Sequence, residues 1–161
     1  MVDEDEELHD EEEDDDYEGL TPAFYFVDDI FVKIANKEKK KGTQSLTEEQ
    51  LALLTVWHVF GIVENGALFY FFEHRLNVNE VVRAYETVGM PERAVILKQA
   101  VAVFPNSKPP EDLDELSDVM AEHEETLNSL STKFVRGEKK VVAILGDYIR
   151  KNEAAFKEFM K

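Results

Sequence analysis

The sequence predicts an all-α fold: a single compact multi-helix domain of about seven or eight helices over residues 21–161, preceded by a disordered acidic tail over residues 1–20. Three observations carry this. Apolar residues recur at three- and four-residue intervals through most of the chain. Helix-start signals stand ahead of these runs, at Thr21-Pro22, Thr47 to Gln50, Asn77 to Glu80 and Pro91. No segment shows the clean apolar/polar alternation of a half-buried strand.

The tail comes first. Residues Asp3 to Glu18 contain 13 acids and no Lys or Arg, so they repel one another and offer almost nothing to bury. Such a segment is either a solvating tail or a polyanion that occupies a cationic surface, on a partner or on Lys37, Lys39, Lys40 and Lys41 of the same chain. The formal net charge is -17, yet the rest of the chain holds 22 acids against 18 bases. An acidic balance argues against direct nucleic-acid or anionic-membrane binding, because phosphate contacts need cations, and it suits a basic protein partner. There are no cysteines, which removes disulfides and thiolate chemistry. With no secretory signal pattern and no uninterrupted apolar run of membrane-spanning length, a cytoplasmic protein is expected.

The first helix starts at Thr21-Pro22, a capping hydroxyl followed by proline at the first helical position. Phe24, Val27, Phe31 and Ile34 define its apolar face, and it ends in the lysine run Lys37 to Lys41 and Gly42. The next helix opens on a capping box, Thr47 with Gln50, with Leu46 and Leu51 at the two hydrophobic-staple positions. It runs through Leu51, Leu54, Trp57, His58 and Ile62 to about Glu64. Asn65-Gly66 then forms a junction, since glycine tolerates the left-handed conformation that ends a helix. Leu68, Phe69, Phe71 and Phe72 continue a second piece to about Arg75. The whole stretch Trp57 to Arg75 is the most apolar in the chain and is expected to be its central scaffold.

Asn77 with Glu80 caps a helix through Val81, Ala84, Tyr85 and Val88 that stops at Gly89. Pro91 opens another, with Ala94, Leu97, Val101 and Phe104 facing inward, and Pro105, Pro109 and Pro110 end it in a stiff loop. Leu113, Leu116, Met120, His123, Leu127, Leu130 and Phe134 then form a narrow apolar seam, expected to pack within the domain rather than pair as a coiled coil. A strongly apolar helix over Val141 to Ile149 breaks near Asn152, after which Phe156 and Phe159 mark a short terminal helix.

Candidate chemistry is sparse. His58, His74 and His123 stand at no metal-ligand spacing, and no phosphate loop, nucleophile elbow or deaminase signature occurs. No catalytic residue, metal or cofactor is therefore expected. Glu64 is the one acid embedded in the central apolar stretch. It is expected to be structural, accepting hydrogen bonds from the backbone N–H groups that start the next helix. The structural motif is thus Glu64, Asn65 and Gly66.

The partner-binding residues come from a second acidic block. Between Lys108 and Lys133 there are eight acids and no Lys or Arg. Glu111, Glu115, Asp118, Glu122 and Glu125 are spaced four, three, four and three, which puts them on one stripe of a helix. Successive carboxylates would lie roughly 5 Å apart along the axis, of the same order as the roughly 3.4 Å per phosphate along a DNA strand.

The segments Leu46-Thr47-Glu48-Glu49-Gln50, Ile62 to Phe72 and Ala84 to Gly89 resemble the DNA mimic protein 19-like family of bacterial proteins. The family centre is similar to Glu-x-Asn-Gly-Gly followed by an aromatic run, then a helix ending in Ile-Gly. The resemblance covers roughly residues 45 to 156. Two positions depart from the pattern: Ala67 replaces the second glycine, and Leu130-Ser131 stands where Leu-Asp is usual. The resemblance implies an all-helical, dimeric interaction protein. In the family's characterised member, acidic groups imitate DNA and occupy a transcription factor.

Together these readings predict a non-enzymatic interaction module whose acidic surface occupies a basic protein, a DNA-binding protein being the candidate class, with a homodimer implied by the resemblance. Two rivals share the data: an immunity-type inhibitor of a toxin, and a small-ligand binder or enzyme using Glu64, Asn65, His58 and Tyr70 around the helix junction.

Overall fold

The computed structural model describes residues 21–160, and the tail expectation for residues 1–20 lies outside them. Eight α-helices follow one another: α1 Pro22–Lys41, α2 Glu48–Glu73, α3 Val78–Thr87, α4 Pro91–Val101, α5 Leu113–Glu122, α6 Glu124–Val135, α7 Glu138–Lys151 and α8 Glu153–Phe156. Short 3-10 turns at Thr43–Ser45, Pro105–Ser107 and Lys157–Phe159 complete the chain, and no strand occurs among the described residues.

The start signals are realised as hydrogen bonds. Thr21 accepts from the Phe24 N–H at 3.2 Å, and Asn77 accepts from Glu80 at 3.1 Å. The capping box closes both ways, with Gln50 N–H donating to Thr47 Oγ1 at 3.1 Å and Thr47 N–H to Gln50 Oε1 at 3.2 Å. Gln50 does more than the cap requires. Its buried side chain also donates to the Ala155 carbonyl at 2.7 Å and to Glu158 at 2.8 Å, so it ties the end of the chain to the start of α2.

Helix α2 lies at the centre, packed against α1, α3 and α6. Leu53, Val56, Val59, Phe60, Val63, Leu68, Phe71 and Phe72 are almost fully enclosed, and Tyr85 from α3 and Phe134 from α6 stack edge-on beside them with centroids 5.2 Å apart. Fully burying one such side chain stabilises by about 1.5–3 kcal/mol, so α2 is the main contributor to the core. Helix α2 spans 26 residues with a mean hydropathy of 1.4 in its most apolar window, long and apolar enough to cross a membrane, and non-helical backbone at Gly66 and Ala67 divides it into the two pieces expected. Of that window, 56% is buried inside the fold, as befits a core helix.

Several local expectations are corrected. The deepest residues of the α1 apolar face are Val27, Ile30 and Ile34, while Phe24 and Phe31 are half-buried and pack against the edge of the core. Leu51 and His58 do not join the core: both are exposed on α2, and Leu51 is 38% accessible. The seam from Leu113 to Phe134 is not one helix. It breaks at His123 (φ -112°, ψ 23°), which ends α5 and begins α6, and Leu113 is 65% exposed.

Candidate functional site

The junction in α2 is built differently from its sequence signal. Gly66 has φ -146°, outside the left-handed region, and the positive angle falls on Ala67 (φ 58°, ψ -169°), a combination that glycine alone adopts readily. Gly66 is needed for another reason. A β-carbon there would lie 2.5 Å from Tyr70 Cβ and 2.7 Å from its Cγ, so the Tyr70 side chain rests directly on the Gly66 backbone. Tyr70 in turn meets His74 edge-on at 4.3 Å, and the Nδ1 of His74 lies 2.7 Å from the Tyr70 carbonyl oxygen.

Glu64 does not hold this junction. It is exposed, and among the described residues no backbone N–H donates to it. The helix restart is capped from a distance: Ser131 Oγ on α6 accepts the Leu68 N–H at 2.9 Å and donates to the Leu127 carbonyl at 2.6 Å. The sequence reading missed Ser131, although Leu130-Ser131 had already marked itself as a departure from the family pattern. Glu64, Asn65, His58, Tyr70 and His74 instead line an open hollow of about 460 Å³, together with Asp28, Phe24, Phe31 and Trp57. Asp28 is fixed there by the Trp57 indole N–H at 3.0 Å.

The acidic block is also rearranged. Glu115, Asp118 and Glu122 lie on α5, but Glu111 precedes the cap residue Asp112, and Glu125 belongs to the first turn of α6. The break at His123 therefore replaces the expected continuous stripe with a three-residue row flanked by one acid on each side. All five are exposed. Helix α5 is seated by Leu116 and Met120, which are buried, and by Arg75 at its entry. Arg75 donates to the carbonyl oxygens of Pro110 and Glu111, the latter at 2.7 Å.

Helix geometry accounts for part of this acidity. Asp112 caps α5 through the Glu115 N–H at 3.0 Å, and Asp114, Glu115, Glu124 and Glu125 occupy first turns, where the helix dipole favours negative charge. It does not account for Asp118 or Glu122. They are like charges at i,i+4, which costs roughly 0.2–0.5 kcal/mol, and Glu122 sits at the negative end of the dipole. Among the described residues none of the eight acids between Lys108 and Lys133 forms an ion pair.

No group of three or more His, Asp and Glu side chains is placed to hold a metal among the described residues. No curated protein and no solved structure matches the chain significantly. The family model described as DMP19-like protein matches residues 44–152, from the turn before α2 through the end of α7. That span contains the α2 junction, Ser131, Arg75 and the whole acidic block, and the chain belongs to the DMP19-like family.

Proposed function

We propose that this chain is a non-enzymatic interaction module that occupies a basic, DNA-binding protein through the carboxylates of α5 and its flanks. Membership of the DMP19-like family supports a DNA-mimic-type interaction role. The observation that carries the finer reading is the pair Asp118 and Glu122: exposed, unpaired and unfavourable for their own helix. Carboxylates retained against the local helix energetics are available to Arg and Lys from outside.

The mechanism is competitive occlusion. Glu115, Asp118 and Glu122 lie about 4.5 and 6 Å apart along the α5 axis, a spacing that a phosphate-binding surface can accept. Glu111 and Glu125 extend the negative field at either end, and the partner's cations pair with this face in place of DNA. Neutralising Asp118 and Glu122 together, as Asp118→Asn with Glu122→Gln, tests the role. Partner affinity should fall at low salt while the melting temperature stays level or rises. Unchanged affinity would remove the acidic face from the account.

A further inference from the structure

A second surface, part apolar and part acidic, lies where α1, α2 and α3 meet. The hollow beside Glu64 adjoins a larger one of about 580 Å³, and Phe31 and His58 belong to the lining of both. Together the two hollows form a trough one wall of which is a single stripe of α1, Phe24, Asp28, Phe31, Ala35 and Glu38, spaced four, three, four and three. The floor is the exposed edge of α2, including Leu51, Thr55 and His58, and the second wall at one end is α3. From Phe24 to Glu38 the stripe spans about 21 Å, the length of roughly four helical turns.

The lining combines apolar surface with one sign of charge. Leu51 is left 38% exposed in the floor, and the half-buried rings of Phe24 and Phe31, packed against the edge of the core, also line the trough. Around them stand five carboxylates, Asp28, Glu38, Glu48, Glu64 and Glu80, against the single guanidinium of Arg83. The chain's own acidic segment Asp3 to Glu18 has the wrong charge to settle there.

We propose that this trough docks a cationic amphipathic helix of a partner protein, apolar face down on Phe31 and Leu51, with Lys and Arg reaching the rim carboxylates. The mode is a helix in a groove, with anchors recurring every three or four residues. The trough does not depend on α5, and its α1 wall lies outside the matched span 44–152. A partner that uses both surfaces would be gripped at two places.

The test uses the full chain, ¹⁵N-labelled, and a synthetic four-turn peptide with leucines on one face and lysines on the other. A second peptide carries glutamates in place of the lysines. Binding of the cationic peptide should shift the amide signals of Asp28, Phe31, Leu51, His58, Glu64 and Glu80 and leave Asp118 and Glu122 in place. The acidic peptide should not bind. Glu64→Gln with Glu80→Gln should weaken the peptide about fivefold or more, and Leu51→Ser should weaken it further. Because these side chains are exposed, the variants should melt like the wild type. Asp118→Asn with Glu122→Gln should leave peptide affinity unchanged, which separates this surface from the α5 face. Shifts confined to α5, equal binding of both peptides, no binding, or a trough covered by a second copy of the chain in sedimentation and cross-linking would each overturn the proposal.

Discussion

The guanidinium of Arg75 donates to the carbonyl oxygen of Glu111 at 2.7 Å, joining the end of the central helix to the entry of the acidic one. Arg75 also has φ 57°, a left-handed angle at which glycine is the usual helix terminator. An arginine there accepts backbone strain and gains a grip on α5. Arg75→Ala keeps the strain and loses the grip. It should lower stability by about 1 kcal/mol and speed amide exchange over residues 113–116, the first turn of α5. Exchange unchanged in that turn would mean that Leu116 and Met120 alone hold the helix.

Ala67 carries the strain of the α2 junction. Its backbone angles are nearly glycine-only and cost of order 1–3 kcal/mol. Ala67→Gly should therefore stabilise by about 1 kcal/mol once the greater freedom of glycine in the unfolded chain is set against the relief. Denaturant unfolding with an unchanged m-value measures this. A destabilised variant would show that the Ala67 methyl group packs better than its angles suggest.

Ser131 caps the restart of the same helix. Ser131→Ala leaves the buried Leu68 N–H without its acceptor and should cost about 1–3 kcal/mol. Glu64→Gln, by contrast, should leave the melting temperature unmoved. If Glu64→Gln costs more than Ser131→Ala, the junction is held as the sequence suggested and not as described above.

The alkaline limb of stability should report Tyr148. Partial burial, together with the nearby carboxylates of Glu49 and Glu48, pushes its phenol up to about 12 from an ordinary value of 10.0. The folded state therefore keeps a proton that the unfolded state loses. This contribution is full below pH 10 and is lost as pH rises toward about 12. Fully buried Tyr85 is shifted in the same direction. Tyr148→Phe should make unfolding free energy fall less steeply above pH 10, with the residual slope left to Tyr85. A slope identical to the wild type would remove Tyr148 from the titration.

Much of this architecture was legible because its signals are local. Thr47 with Gln50, Asn77 with Glu80 and the proline of α4 act within one turn, so short-range chemistry fixes them. The sequence places the junction at Asn65-Gly66, one residue ahead of the non-helical pair Gly66 and Ala67, and its glycine signal points to a different mechanism. Gly66 serves the close approach of Tyr70, and the oxygen that caps the Leu68 N–H comes from Ser131, 63 residues beyond Leu68. Long-range partners of this kind leave no periodicity to read. The same holds for Phe24 and Phe31: spacing marked them as apolar-face residues, but only the packing of α1 against α2 shows that they border an open trough. The acidic block was read from composition, and its division at His123 followed from a backbone turn that the seam pattern concealed.

The most direct test of the central claim is the salt dependence of partner capture. Immobilised wild-type chain and the Asp118→Asn, Glu122→Gln variant are each exposed to cell lysate at low and at high salt, and the retained proteins are identified. The account predicts that the wild type retains a basic protein at low salt, that high salt releases it, and that the variant retains markedly less of it. Capture that ignores salt, or equal capture by the variant, would contradict it.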